Sequence, residues 1–180
     1  DIAPAQRLDE MEFYLPVGHL TAAAVDALLG SQPGQPGRFH FEPLTGYLKG
    51  FIDLIFEWNG RYYVADYKSN YLGDQLADYR PAALRQSMRE HSYDLQSWIY
   101  LVALDQLLSQ RLPDYVPQKH LGGSVYLYLR GMGDHFSSTD EDTDLGVCFT
   151  PASVELLRQW RTLLLQGGKD SSKGSGRGRS

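Results

Sequence analysis

The chain has 180 residues, 42% of them hydrophobic and 12% aromatic, enough for one ordinary domain core and too few for two full-sized ones. Its single cysteine, Cys148, excludes an internal disulfide and a cysteine-based zinc site, and its longest apolar run, Tyr47 to Phe56, is broken by Lys49 and Asp53, which excludes a membrane span. Seventeen Lys and Arg against 22 Asp and Glu give a net charge of -5, which excludes a uniformly basic coat but leaves room for a local basic groove.

These properties describe a soluble domain at home in a reducing cytoplasm. The chain opens on Asp1, without the charged-then-apolar pattern of a signal peptide, and reads as a fragment of a longer protein.

Residues Glu10 to Pro16 alternate polar and apolar side chains and predict a short strand. Thr21 is placed to cap a helix over Ala22 to Leu29, closed by Gly30. Two Pro-Gly pairs make Ser31 to Arg38 a loop. Two β-rich runs follow, Tyr47 to Glu57 and Arg61 to Ser69, with Asn59-Gly60 between them, the signature of a tight hairpin. Pro81 opens a helix to about Glu90, and Tyr93 to Gln110 forms a longer one with Leu95, Trp98, Ile99, Val102 and Leu107 as its apolar positions. Ser124 to Arg130 and Gly146 to Thr150 read as strands, and Pro151 starts a last helix to about Gln166. Residues 167–180 carry only Gly, Ser, Lys, Arg and Asp and predict a disordered tail.

The hairpin carries the chemistry. A type I′ turn at Asn59-Gly60 pairs residues whose numbers total 119, so Asp53 falls opposite Asp66. Strand alternation then puts Asp53, Asp66 and Lys68 on one face, with opposed Cβ atoms about 4.5–5.5 Å apart. Ile52, Leu54, Phe56, Tyr63, Ala65 and Tyr67 form the other face, expected to pack on the core. Two adjacent carboxylates repel unless a cation lies between them, and oxygen donors favour Mg2+ or Mn2+. The alternative is a plain salt bridge from Lys68 to either aspartate on a solvated face.

The order Gly50-x-x-Asp53, twelve residues, then Asp66-Tyr67-Lys68 resembles the PD-(D/E)xK nucleases. Within them, Gly46 to Leu54 followed by Asp66 to Asn70 is similar to the C-terminal nuclease domain of RecB-type exodeoxyribonuclease V. Tyr93-Asp94-Leu95-Gln96 with Tyr100 resembles the family's downstream Gln-x-x-x-Tyr helix motif, and Gly122-Gly123 into Val125 to Gly131 resembles the strand that follows. The resemblance covers roughly residues 8 to 165 and implies an α/β restriction-endonuclease-like fold, a mixed sheet with a central β-hairpin flanked by α-helices.

The resemblance further implies that Asp53, Asp66 and the Tyr67 carbonyl bind the metal, Mg2+ with Mn2+ or Ca2+ substituting in binding, and that Lys68 is catalytic. Glu10 resembles the family's upstream acid, with Glu12 an open alternative, and Gln96 and Tyr100 border the active site from one helix face. The family's histidine ligand lies upstream of the acidic strand, and no histidine precedes Glu10 here, so the isolated chain is expected to be weakly active. DNA and subunits like RecC and RecD are the implied partners, and repair of double-strand breaks the implied role. The alternative function is a catalytically silent docking module in a repair complex.

The remaining signals are weaker. Asp140, Asp142 and Asp144 alternate like an EF-hand loop but lack its glycine and final glutamate, and read as a solvated acidic loop. Arg80, Arg85, Arg89 and Lys119 read as solvated charges before a DNA contact, His91 and His120 lack metal-ligand spacing, and Cys148 reads as a small buried apolar residue.

Overall fold

A computed structural model describes residues 3–30, 38–132 and 145–166. The Pro-Gly loop at 31–37, the aspartates 140, 142 and 144, and the tail after 166 lie outside the described residues.

Among the described residues five strands form one sheet in chain order: β1 (Arg7–Leu20), β2 (Leu44–Trp58), β3 (Arg61–Lys68), β4 (Leu121–Tyr128) and β5 (Val147–Pro151). All neighbours pair antiparallel except β3 and β4, which run parallel. A parallel pair needs a long crossover, and α2 (Pro81–Glu90) and α3 (Tyr93–Arg111) supply it. The helices α1 (Ala22–Leu28), α4 (Pro117–His120) and α5 (Val154–Gln166) are the remaining α-helices among the described residues. This is the mixed sheet with a central hairpin and flanking helices.

The β2–β3 turn is a type I′ hairpin, with Asn59 at φ 52° and Gly60 at φ 73°. Its ladder runs from Trp58↔Arg61 to Leu54↔Ala65, the register totalling 119. Thr21 caps α1 through a hydrogen bond from the Ala24 N–H to its Oγ1 at 3.2 Å. Pro81 stands at the start of α2, where a missing N–H costs nothing.

Several boundaries differ from the sequence reading for visible reasons. β1 is twice the expected length because β2 pairs with it from Leu44 to Phe56, and Pro16 is tolerated because β1 is an edge strand. Pro151 ends the other edge strand, β5, and α5 starts three residues later, at Val154.

The core lies against the opposite side of the hairpin from the one expected. Ile55 and Val64, on the acidic side, are buried with Trp98, Leu101 and Leu104 of α3 and Trp160 and Leu164 of α5. Ala65 is the buried member of the other face at the hairpin, where Leu54, Phe56 and Tyr63 are half-buried. That face carries an aromatic row instead: Phe56 stacks on Tyr63 at 5.1 Å, and Tyr63 meets Phe149 at 6.3 Å. The acidic residues are therefore at the margin of the core, not on a solvated face.

Ile52 also enters the core, three residues before Ile55, so strict two-residue alternation breaks between them. The break coincides with Glu10, which sits across from Asp53 between the pairs Asp9↔Leu54 and Met11↔Ile52 and adopts a left-handed φ of 53°. A second cluster joins Leu84 and Met88 of α2 to Tyr126, Tyr128 and Cys148, so Cys148 is a buried apolar packing residue.

Candidate active site

The site forms where β3 runs out against the first turns of α3. β3 ends Asp66-Tyr67-Lys68, and its parallel partner places Tyr126 beside Asp66 and Tyr128 beside Lys68. Gln96 and Tyr100 lie one turn apart on α3 and reach the same spot from above.

Asp53 is half-buried, and its Oδ2 accepts a hydrogen bond from the Tyr67 backbone N–H at 3.0 Å. A strand residue's N–H and C=O point to the same side, so the Tyr67 carbonyl also opens toward Asp53. The Tyr67 ring itself faces solvent.

Asp66 is only 4% exposed, and its Oδ2 lies 2.7 Å from the Lys68 ammonium. Burial pushes its carboxyl above the usual carboxylate range; Lys68 pulls the other way, and the Asp53 charge adds to the rise. The two aspartates are thus close enough to feel each other. Both also raise the Tyr100 phenol, which burial chiefly pushes up to about 12.

Lys68 is held from several directions. Besides Asp66, its ammonium donates to Gln96 Oε1 at 3.1 Å and lies 3.8 Å from the Tyr93 ring centroid and 5.2 Å from that of Tyr126. Gln96 is fixed in turn: its Nε2 donates to Tyr100 Oη at 2.8 Å, and its Oε1 also accepts from Tyr126 Oη at 3.1 Å. Phe13 meets Tyr100 edge-on at 5.7 Å, tying β1 into the arrangement.

The structure thus gathers Asp53, Asp66, Tyr67, Lys68, Gln96 and Tyr100. Glu10 is exposed at the rim beside Asp53, outside this hydrogen-bonded group. Glu12 is engaged elsewhere, 2.5 Å from the Lys49 ammonium, which holds its carboxyl below the usual range. Among the more distant residues, Arg80, Arg85, Arg89 and Lys119 are exposed, and His120 accepts the Val116 N–H through Nδ1 at 2.9 Å.

Sequence reasoning missed the aromatic wall of Tyr93 and Tyr126 and the Asn70 amide oxygen that accepts the Tyr93 hydroxyl at 3.2 Å. A signal was present: Tyr93 stands one helical turn before Gln96, and Tyr126 alternates with Tyr128.

Two carboxylates and a carbonyl form an all-oxygen donor set suited to a hard divalent cation. Among the described residues no group of three or more His, Cys, Asp or Glu side chains is placed to hold a metal, so water or substrate oxygens would complete the coordination. The fit shows in the charge balance: the Lys68 ammonium pairs with Asp66, whose carboxyl is nevertheless raised, chiefly by burial and in smaller part by the charge of Asp53. No described helix is long and apolar enough to cross a membrane.

Comparison with known proteins agrees with this geometry. The model of the PD-(D/E)XK nuclease superfamily matches residues 7–174. The RecBCD enzyme subunit RecB of Escherichia coli (strain K12) is 45% identical over 127 residues, covering 68% of this chain and 11% of the relative. RecB of Haemophilus influenzae is 38% identical over 161 residues, 88% of this chain and 13% of that protein. RecB of Mycobacterium tuberculosis (strain H37Rv) is 48% identical over 92 residues, 51% of this chain and 8% of the relative. The chain therefore spans about a tenth of the length of these relatives. With the superfamily model spanning nearly all the described strands and helices and the Asp53, Asp66 and Lys68 side chains drawn to one spot, the chain belongs to the PD-(D/E)XK nuclease superfamily.

Proposed function

We propose that this chain is the nuclease domain of a RecB-like helicase-nuclease, a divalent-metal-dependent deoxyribonuclease of the exodeoxyribonuclease V type. Its substrate is linear DNA, its partners resemble the RecC and RecD subunits, and its setting is double-strand break processing in the cytoplasm. The observation that carries this reading is the convergence at the end of β3, where the Tyr67 N–H holds Asp53 and the Lys68 ammonium lies 2.7 Å from Asp66. The RecBCD membership named for the relatives supports the partners.

Asp53, Asp66 and the Tyr67 carbonyl would hold the cation, Mg2+ with Mn2+ or Ca2+ able to replace it in binding. When bound, the cation supplies Lewis acidity, making water a better nucleophile and offsetting charge on the phosphate. Asp53 keeps its orientation through the Tyr67 N–H, which leaves Oδ1 as the oxygen to offer. Lys68 spends two of its three N–H donors on Asp66 and Gln96 and retains positive charge for a phosphate oxygen or the attacking water. Gln96, locked between Tyr100 and Tyr126, keeps its acceptor oxygen aimed at Lys68. Glu10 serves as the acid at the rim, since Glu12 is occupied by Lys49.

The test is single-turnover cleavage of end-labelled linear DNA with the protein in excess, in Mg2+ and in EDTA. Products in Mg2+ and none in EDTA are expected, with Asp66→Asn silent in both. An intact substrate with the native protein would favour the docking-module function.

A further inference from the structure

Lysine carries its charge on a flexible four-carbon stem, and a point charge that must act on one phosphate or water needs walls. Asp66 and Gln96 supply two. The third is an aromatic face: Tyr93 at the first turn of α3 presents its ring to the ammonium with Nζ 3.8 Å from the centroid. That is close range for a cation–π contact.

The ring is itself held on several sides. It stacks against His91 at 5.3 Å and Tyr126 at 5.9 Å, and its hydroxyl donates to Asn70 Oδ1 at 3.2 Å. Two rungs thus dock the end of β3 onto α3, Lys68 to Gln96 and Asn70 to Tyr93. Ser92, in the left-handed region at φ 58°, turns the chain so that α3 starts at this point.

We propose that Tyr93 is a positioning residue for Lys68, acting through its ring face and not through its hydroxyl. A further carboxylate would attract the ammonium but cancel its charge. A ring face attracts the cation through its quadrupole and leaves the charge in place for the substrate. The proposal rests on the nuclease function above, in which Lys68 acts on the reacting phosphate or water.

The test compares Tyr93→Phe and Tyr93→Leu with the native protein in Mg2+-dependent cleavage, separating kcat from KM. Tyr93→Phe keeps the face and is expected to retain activity to within about twofold, whereas Tyr93→Leu loses about tenfold in kcat at similar KM. A Phe variant as impaired as the Leu variant would assign the role to the hydroxyl and overturn the proposal, as would a Leu variant as active as the native protein. A native protein without cleavage would instead refute the nuclease function on which the proposal rests, so the two failures are distinct.

A second measurement does not depend on the Leu variant folding. The Lys68 ε-methylene protons, assigned by their loss in Lys68→Arg, should be shifted upfield by the ring in the native protein and in Tyr93→Phe. Unshifted resonances in the folded native protein would contradict the proposal.

Discussion

The Tyr67 backbone N–H donates to Asp53 Oδ2 at 3.0 Å, one step beyond Leu54↔Ala65, the last main-chain pair of the β2–β3 ladder. A side chain thus takes the place of the next ladder rung. The consequence is rigidity: Asp53 is fixed by the backbone of the strand that carries Asp66 and Lys68, so the separation of the two carboxylates follows from sheet geometry and not from loop conformation.

Gly50 is the first point at which this geometry can be disturbed. It pairs with Phe13, and a Cβ there would lie 2.6 Å from Phe13 Cζ and 2.8 Å from Cε1. The Phe13 ring is buried edge-on against Tyr100 and has little space to retreat. Gly50→Ala is expected to destabilise the fold by about 1–3 kcal/mol through overpacking. A urea midpoint equal to that of the native protein would show that the ring yields freely.

Much of this arrangement is legible in the sequence because its causes are local. Asn59-Gly60 dictates a primed turn, the turn dictates the register, and the register brings Asp53 to Asp66. The helical spacing of Gln96 and Tyr100 likewise puts both on one face. The side of the hairpin that packs on the core was not legible, because both faces carry apolar residues and the choice is made by α3 and α5, distant in sequence. The left-handed Glu10 was equally hidden, since no glycine or asparagine marks the break in alternation near Ile52. Only half of the Tyr93 contact with Lys68 is local, the one-turn spacing of Tyr93 and Gln96 on α3; the docking of α3 across the end of β3 that completes it joins elements distant in sequence.

Lys68→Ala separates metal binding from chemistry. Removing the ammonium leaves Asp53, Asp66 and the Tyr67 carbonyl in place, so the rise in Tm on adding Mg2+ or Ca2+ should persist. At tenfold excess over Kd that rise corresponds to about 1.4 kcal/mol, roughly 3–6 °C for a chain of this size. Cleavage should fall by about two to three orders of magnitude, the scale of losing one preorganised charge at a reacting centre. Equal cleavage by native and Lys68→Ala proteins would remove the lysine from the mechanism.

Alkaline pH should unfold the protein through its buried phenols. Burial pushes Tyr100 and Tyr128 up to about 12, and Tyr115 and Tyr126 higher still, from an ordinary 10.0. The unfolded chain therefore releases these protons before the folded one does, and stability present below pH 10 is lost as the pH rises from 10 toward 12. Urea midpoints should decline through that interval, and absorbance at 295 nm should show several of the 12 tyrosines ionising only as the fold is lost. Complete ionisation at 295 nm while circular dichroism remains native would contradict the buried assignments.

The central claim, that Asp53 and Asp66 jointly hold a divalent cation, is tested most directly by titrating the protein with Mn2+ and following free Mn2+ by its electron paramagnetic resonance signal. The native chain should deplete the free signal with a stoichiometry of at least one, Mg2+ should restore it by competition, and Asp66→Asn or Asp53→Asn should leave it close to that of buffer. A native protein that leaves the free Mn2+ signal unchanged at millimolar concentrations, or an Asp66→Asn variant that depletes it equally, would contradict the claim and make the Lys68–Asp66 contact a structural salt bridge.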